Sequence, residues 1–450
     1  MPIRRVATIA FAAKSSIALR RDRAASVRFE ANERLDPELL HINSRVAAMA
    51  MARHAFESTS FYRRRYTEAG FTSRDFDEPH HFDELPLIEK SELREFRDEL
   101  ISTSIPASRR LVSTTGGSTG EPLRVFHDRH APVAAMWWRA FRWWGVHPSE
   151  NRAIVQRERR SPATRRREAL EWWPTKVLSL DATTMNAASM EQFRGEWNLA
   201  KPALLSGYIG AAHEYAAFVA DTGREFVSPR AVAVTAAPIT SSQRRYIEAS
   251  LGAPVFDSYR TAEVPWMAAE CQAHSGLHVL ADARIVEVID DDGSPSLPGT
   301  EGTVVVSDLC NEVFPLIRYN IGDRTSVNTE PCECGRTLPR ISGIGGRIID
   351  VLRTPNGRSV TGGLGGLFND RPDAVTQFQV HQHADYAITL RCVPGTAADA
   401  LEFIDSVAAR LRSMVANLVP VSVEIVANIP HDRGKFRLVR SDLDQGTVIK

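Results

Sequence analysis

Three shortages frame this sequence. Cysteine is scarce: five in 450 residues, an odd number in a long chain. That argues against a disulfide scaffold and for a reducing, cytoplasmic setting. Excess charge of either sign is absent, since Lys+Arg and Asp+Glu each total 55. No global field then points to nucleic acid, and no such partner is expected. Long apolar runs are also missing; none approaches the ~20 residues a membrane helix needs. No internal repeat and no long low-complexity segment breaks the chain.

A chain this long exceeds one small core and implies two or more domains. Residues 1–34 form a basic N-terminal extension, with Arg4, Arg5, Lys14, Arg20, Arg21, Arg23 and Arg28 against Asp22 up to position 28. It reads as a basic surface helix or a segment with little structure. Export or organelle targeting is the alternative, although the apolar run at 6–13 is short and no clear cleavage site follows. Apolar positions recur at helical spacing over 35–69, and a second helix is expected over 90–100. The tryptophans at 137, 138, 143 and 144 suit a core or pocket wall better than a base-stacking platform.

Residues 152–167 hold seven arginines in sixteen positions. A solvated face is the usual meaning, and an anion-binding patch is the sharper alternative. Short β-like runs at 231–235, 254–256, 283–289 and 303–306 alternate with helical stretches such as 241–251. That alternation is the α/β signature. After about residue 346 the pattern becomes a smaller α+β unit, with strands near 377–380, 387–392 and 422–426 around a helix at 397–418.

The most informative stretch runs Ser113-Thr114-Thr115-Gly116-Gly117-Ser118-Thr119-Gly120-Glu121-Pro122. Its glycines and hydroxyls could wrap a polyphosphate through backbone N–H and O–H donors. A Ser/Thr/Gly surface loop has the same composition, and no Gly-Lys-Ser/Thr closes it as a Walker loop would. Four later segments change its meaning: Phe256-Asp257-Ser258-Tyr259-Arg260-Thr261-Ala262-Glu263, Ile317-Arg318-Tyr319-Asn320-Ile321-Gly322-Asp323, Gly346-Arg347-Ile348-Ile349-Asp350, and Gly434-Lys435-Phe436-Arg437. Asp257 could accept from an adenine amino group, Tyr259 could stack on a purine, and Glu263 could hold Mg²⁺. Taken singly, Lys435 reads as a surface lysine, Asp323 as a turn cap and Glu263 as a helix cap.

In this order and spacing the set resembles the adenylate-forming (acyl-CoA synthetase-like) superfamily, and within it the phenylacetate–CoA ligase and CapK-type branch. Phe61-Tyr62-Arg63-Arg64-Arg65, Asp83-Glu84-Leu85-Pro86-Leu87, Lys90-Ser91-Glu92-Leu93-Arg94 and Lys201-Pro202-Ala203-Leu204-Leu205-Ser206-Gly207-Tyr208 also look like words of that branch. The resemblance implies a large domain over 35–346, with mixed sheets and flanking helices, and a small mobile domain over 347–450. It implies adenylation of a carboxylic acid by MgATP, then transfer to a thiol, most often CoA.

Carried over residue by residue, the loop from Ser113 to Gly120 would take the β/γ-phosphates and Glu263 the metal. Asp257, Ser258 and Tyr259 would meet adenine and Asp323 the ribose. Arg318 or Arg347 would add phosphate or closure contacts. Arg347 and Asp350 would form the hinge, and Lys435 would bridge the α-phosphate and the acid. Trp137, Tyr208, Ala236, Ala237 and Arg260 would line the acid pocket, whose aromatic members suggest an aryl acid. A homodimer is a family-level expectation.

Four departures bear on the substrate. Glu121 stands where Lys is common, and Arg124 could compensate. Arg260 replaces the usual glycine. Ala237 stands where an acid is common, and Ile349 where Asp is frequent. Transfer to an amine or carrier protein, or a degenerate nucleotide-binding protein, are the competing readings.

Cys271, His274, His278, Cys332 and Cys334 offer zinc ligands, and some members of the branch look similar here and bind structural zinc. The best four are Cys271, His278, Cys332 and Cys334, with His274 competing. Reduced, partly buried thiols are the alternative, because Cys-x-Cys is tighter than the common Cys-x₂-Cys.

Overall fold

The computed structural model describes residues 2–114, 123–157, 162–344, 346–347, 352–356, 359–360, 364, 367–368, 371, 373–429 and 438–443. Their contacts divide the chain into two compact units. One holds residues 9–148 and 258–342; the other holds 1–8, 149–257 and 343–450. No helix among the described residues is long and apolar enough to cross a membrane.

In the first unit the helix expected at 35–69 is two, Pro37–Ser58 and Ser60–Glu68. Asp36 caps the former, with Pro37 at the first helical position. Thr59 breaks the run with extended backbone, and its hydroxyl accepts from the Tyr62 amide at 3.2 Å. The basic N-terminus is more than a surface appendage. Its helix Arg20–Asn32 buries Ala25 and Phe29. Asp22 accepts from the amides of Ala134 and Ala135 and so caps the tryptophan-rich helix Val133–Trp143. Arg139 lies over the Phe29 ring at 4.7 Å and pairs with Asp282 at 2.6 Å.

Seven antiparallel-paired segments follow in spatial order: Arg284–Ile289, Glu301–Asp308, Tyr319–Asn328, Arg340–Ile341, Leu277–Val279, Ala268–Glu270 and the end of Val255–Tyr259. The run expected at 303–306 lies within one of them, and the run expected at 283–289 matches another except for Ala283, which is in the preceding turn. A separate hairpin pairs Arg110–Thr114 with Arg124–Asp128.

The second unit contains a parallel sheet in the order Val177–Asp181, Arg152–Gln156, Leu204–Tyr208, Ala231–Thr235 and the start of Val255–Tyr259. Crossover helices Ala187–Ala200, Ile209–Thr222 and Ser241–Leu251 join its strands, as parallel pairing requires. Ala231–Thr235 is buried at every position, the mark of a strand covered on both faces.

Here the arginine run is divided: Arg166 and Arg167 are exposed, as a solvated face requires. Its first residue, Arg152, is buried in a strand, with its guanidinium over the Trp172 ring at 4.9 Å. The same unit carries a four-stranded sheet ordered Val421–Ile425, Ile388–Pro394, Val375–Gln382, Val439–Ser441, with the helix Ala400–Met414 packed on it. Its apolar cluster, from Leu352 to Val439, is distinct from the one under the parallel sheet.

Candidate active site

The glycine-rich stretch is the connection of the Arg110–Thr114/Arg124–Asp128 hairpin. Ser113 sits opposite Val125, and Thr114 opposite Arg124. Thr115, Gly116, Gly117, Ser118, Thr119 and Gly120 lie outside the described residues, as do Glu121, Asp350 and Lys435 and the side chain of Arg347. Arg124 is exposed at the mouth of this connection, beside the Phe126 ring. His127 of the second strand lies 2.9 Å from the carbonyl of Ala262, the residue before Glu263. Burial holds the His127 pKa below the usual imidazole range, and the Ala262 carbonyl pulls the other way.

Within 258–342 the acids expected to hold ATP occupy buried positions. Tyr259 ends the Val255–Tyr259 strand, and its hydroxyl donates to Asp323 Oδ2 at 2.8 Å. Asp323 lies in the Tyr319–Asn328 strand, next to Gly322, whose φ of +82° suits glycine. Both side chains are buried. Asp257 and Ser258 are buried in the same strand as Tyr259.

The Glu263 carboxylate, 6% exposed, pairs with Lys90 Nζ at 3.1 Å. Sequence reading missed Lys90 as a partner of that acid. The two are 173 positions apart, and the only signal was that Lys90 sits in one of the branch's recurring words. Arg318 differs from expectation. Its guanidinium is spent inside the fold, on Glu287 at 2.9 Å and on the carbonyls of Leu85 and Asp83. Its φ of +50° is held by its backbone N–H donating to Ser307 Oγ at 2.9 Å and by the Ile88 amide donating to its carbonyl. Such an arginine is a strut between segments.

Of the expected pocket residues, Trp137 is buried in its helix, 4.9 Å from the Phe141 ring. Arg260 lies over the Trp266 ring at 4.9 Å, a cation–π contact. In the other unit, Tyr208 ends a parallel strand, and Ala236 has φ +80°, next to Ala237.

The second cluster is closed. Cys271, His278, Cys332 and Cys334 each place a ligand atom within 4.8 Å of the others. Cys271 and Cys332 sulfurs are 3.7 Å apart, and Cys334 Sγ is 3.3 Å from His278 Nε2. The other ring nitrogen, Nδ1, faces the Leu338 carbonyl at 3.4 Å, an outer partner that would leave Nε2 for a metal. His274 is diverted to Glu270 at 3.2 Å. Two glycines permit the turns. Gly276 has φ +102°, and a Cβ there would sit 2.7 Å from the Ile341 carbonyl; Gly335 has φ +71° just after Cys334. Burial lifts the Cys271 thiol to about 12. At Cys332 burial acts the same way, but hydrogen bonds from Ser275 and Cys334 prevail and bring it to about 7. Arg336 locks this loop to the helical region by lying over the Trp143 ring and pairing with Glu33 at 3.0 Å.

No family model matches the chain. It is 27% identical to a phenylacetate–coenzyme A ligase of Thermus thermophilus over 66% of this chain and 68% of that protein. It is 25% identical to the Escherichia coli phenylacetate–coenzyme A ligase over 67% and 69%. In fold it resembles 2-hydroxyisobutyryl-CoA ligase in complex with an acyl-AMP, with a TM-score of 0.72 at 22% identity over 89% of both chains. The chain is thus similar in sequence to phenylacetate–CoA ligases, and its fold is that of an acyl-CoA ligase.

Proposed function

We propose that this protein activates a carboxylic acid as its acyl-adenylate and passes the acyl group to CoA. The observation that carries the reading is the pair of buried acids on neighbouring segments: Asp323, fixed by the Tyr259 hydroxyl, and Glu263, paired with Lys90. A buried carboxylate already facing a lysine amine is organised to meet a cation. Mg²⁺ held by Glu263 would neutralise phosphate charge when MgATP binds. Asp323 would accept from the ribose hydroxyls, with Tyr259 orienting its carboxylate. Asp257, Ser258 and Tyr259 would bound the adenine. The hairpin connection from Ser113 to Gly120 would wrap the β/γ-phosphates, and Arg318 drops out because its donors are spent internally.

Lys435 would then bridge the α-phosphate and the attacking carboxylate, which makes positioning its main contribution. The small domain, 347–450, would turn about Arg347–Asp350 between the two steps. An apolar cluster of its own supports treating that segment as a body. An aryl acid is favoured by Trp137 and Tyr208, and Arg260 on Trp266 would set the chemistry of the acid's far end. The cysteine knuckle formed by Cys271, His278, Cys332 and Cys334 would hold one structural zinc: three sulfurs and an imidazole with its outer partner fit that ion.

The test is pyrophosphate release from MgATP over aryl and aliphatic acids, with and without CoA, beside Lys435→Ala. Acid-dependent release that falls by roughly 100-fold or more in the variant is expected. A CoA requirement for turnover would separate CoA from amine or carrier acceptors. ATP binding with no adenylate formed from any acid would overturn the reading and point to a degenerate nucleotide site.

A further inference from the structure

The four-stranded sheet of the C-terminal region carries a cluster that the ligase reading does not use. His381 is the penultimate residue of Val375–Gln382, and His383 follows two positions later. Their rings stand 4.3 Å apart between centroids. Asp442 comes from the chain just past Val439–Ser441, the strand that pairs in parallel with Val375–Gln382. Its amide donates to the Gln382 carbonyl at 2.8 Å, which extends the ladder by one step and fixes Asp442 beside the two histidines.

Backbone pairing alone thus brings two imidazoles and a carboxylate together, each with a ligand atom within 4.8 Å of the others. Asp442 Oδ2 lies 2.7 Å from His381 Nε2. The His381 ring is 95% buried by residue, and its Nδ1 meets no partner among the described residues. Two charges compete. Arg440 Nε reaches Asp442 Oδ1 at 3.3 Å, so it occupies the other oxygen. Arg391 is engaged by Glu424 at 2.7 Å. His383 Nε2 rests 2.8 Å from Thr389 Oγ1, a hydroxyl that can turn away.

We propose that His381, His383 and Asp442 form a second metal site, separate from the cysteine knuckle, that takes a divalent transition ion such as Zn²⁺. Neutral imidazoles and a carboxylate form a three-ligand set that suits zinc, with water in the fourth position. Binding would replace the proton shared by His381 and Asp442 with the cation, and that proton would leave to solvent. The ion would clamp the last described strand, which follows the segment holding Lys435, to the centre of the sheet.

The experiment is metal analysis of full-length, tag-free protein after stripping with chelator and dialysis against limiting Zn²⁺. Wild type is compared with His383→Ala and Asp442→Asn, both outside the buried ring. Wild type should retain one more zinc per chain than either variant, while all three keep the same content at the cysteines and the same circular dichroism. Equal zinc in wild type and both folded variants would overturn the site and leave the trio a hydrogen-bonded strand fastener. Because the readout is stoichiometry, it does not depend on which acid the enzyme activates.

Discussion

Two polar clusters lie within residues 258–342 and their neighbours, and they are built on opposite plans. Around Glu263 and Asp323 the groups are hard, charged and held by replaceable contacts, among them a lysine about one-third exposed and a tyrosine hydroxyl. Around Cys334 and His278 they are soft, enclosed and backed by outer partners on several sides. A site that exchanges MgATP for AMP must let its internal ion pairs part and re-form. A site that holds one ion for the life of the protein gains from having no alternative partner. The contrast predicts that damage to the first removes turnover and spares the fold, while damage to the second does the reverse.

The largest effect tests the first half. Glu263→Gln removes the charge that Lys90 and a magnesium ion would share, without changing the shape of the side chain. Acid-dependent pyrophosphate release should drop by about 100-fold or more. Circular dichroism and zinc content should stay at wild-type values. If the variant loses zinc or unfolds, the two clusters are not independent and the comparison fails.

Cys334→Ser tests the second half. Binding of a structural zinc is folding free energy, so loss of one thiolate should lower thermal stability by several degrees and release the metal. The effect should spread to the N-terminal helices. Arg336 and Thr337 join the knuckle loop to Glu33, and Glu33 also accepts from Trp143 Nε1 at 3.0 Å. Faster hydrogen exchange in residues 20–33, with catalysis near normal at low temperature, is the expected pattern. Unchanged melting with unchanged zinc would remove the knuckle from the set of metal sites.

Much of this was legible in the sequence, for identifiable reasons. Periodicity and turn residues located Ala231–Thr235, Ser241–Leu251 and the C-terminal α+β pattern, since both depend on local chemistry. Soft-ligand chemistry also picked the four knuckle residues over His274, which the fold diverts to Glu270. What stayed hidden depends on distant pairing. Charge dominates the composition of the arginine run, and Arg166 and Arg167 are indeed exposed, yet Arg152 is buried in a strand against Trp172. Lys90 and Glu263 are joined only by the tertiary fold. Arg318 looked like a phosphate ligand until its carbonyl partners at Leu85 and Asp83 were placed. The basic N-terminus hid a buried Phe29 because one aromatic cannot outweigh seven cations in a compositional reading.

The smallest effect probes the seam between the glycine-loop hairpin and the exchangeable cluster. His127 is the hairpin residue that reaches the Ala262 carbonyl, next to Glu263. Burial lowers its pKa from 6.5, so the folded protein favours the neutral ring more than the unfolded chain does. The sign follows from proton counting. The unfolded state binds the proton first as pH falls, so this contribution is fully present above 6.5 and is lost progressively below it. Wild type should therefore lose urea resistance between pH 7 and pH 5 more steeply than His127→Gln, whose amide can still donate to the carbonyl but does not titrate. Parallel loss in the two proteins would mean that His127 titrates as it does in the unfolded chain. The hairpin's hold on the Ala262–Glu263 segment would then be independent of pH.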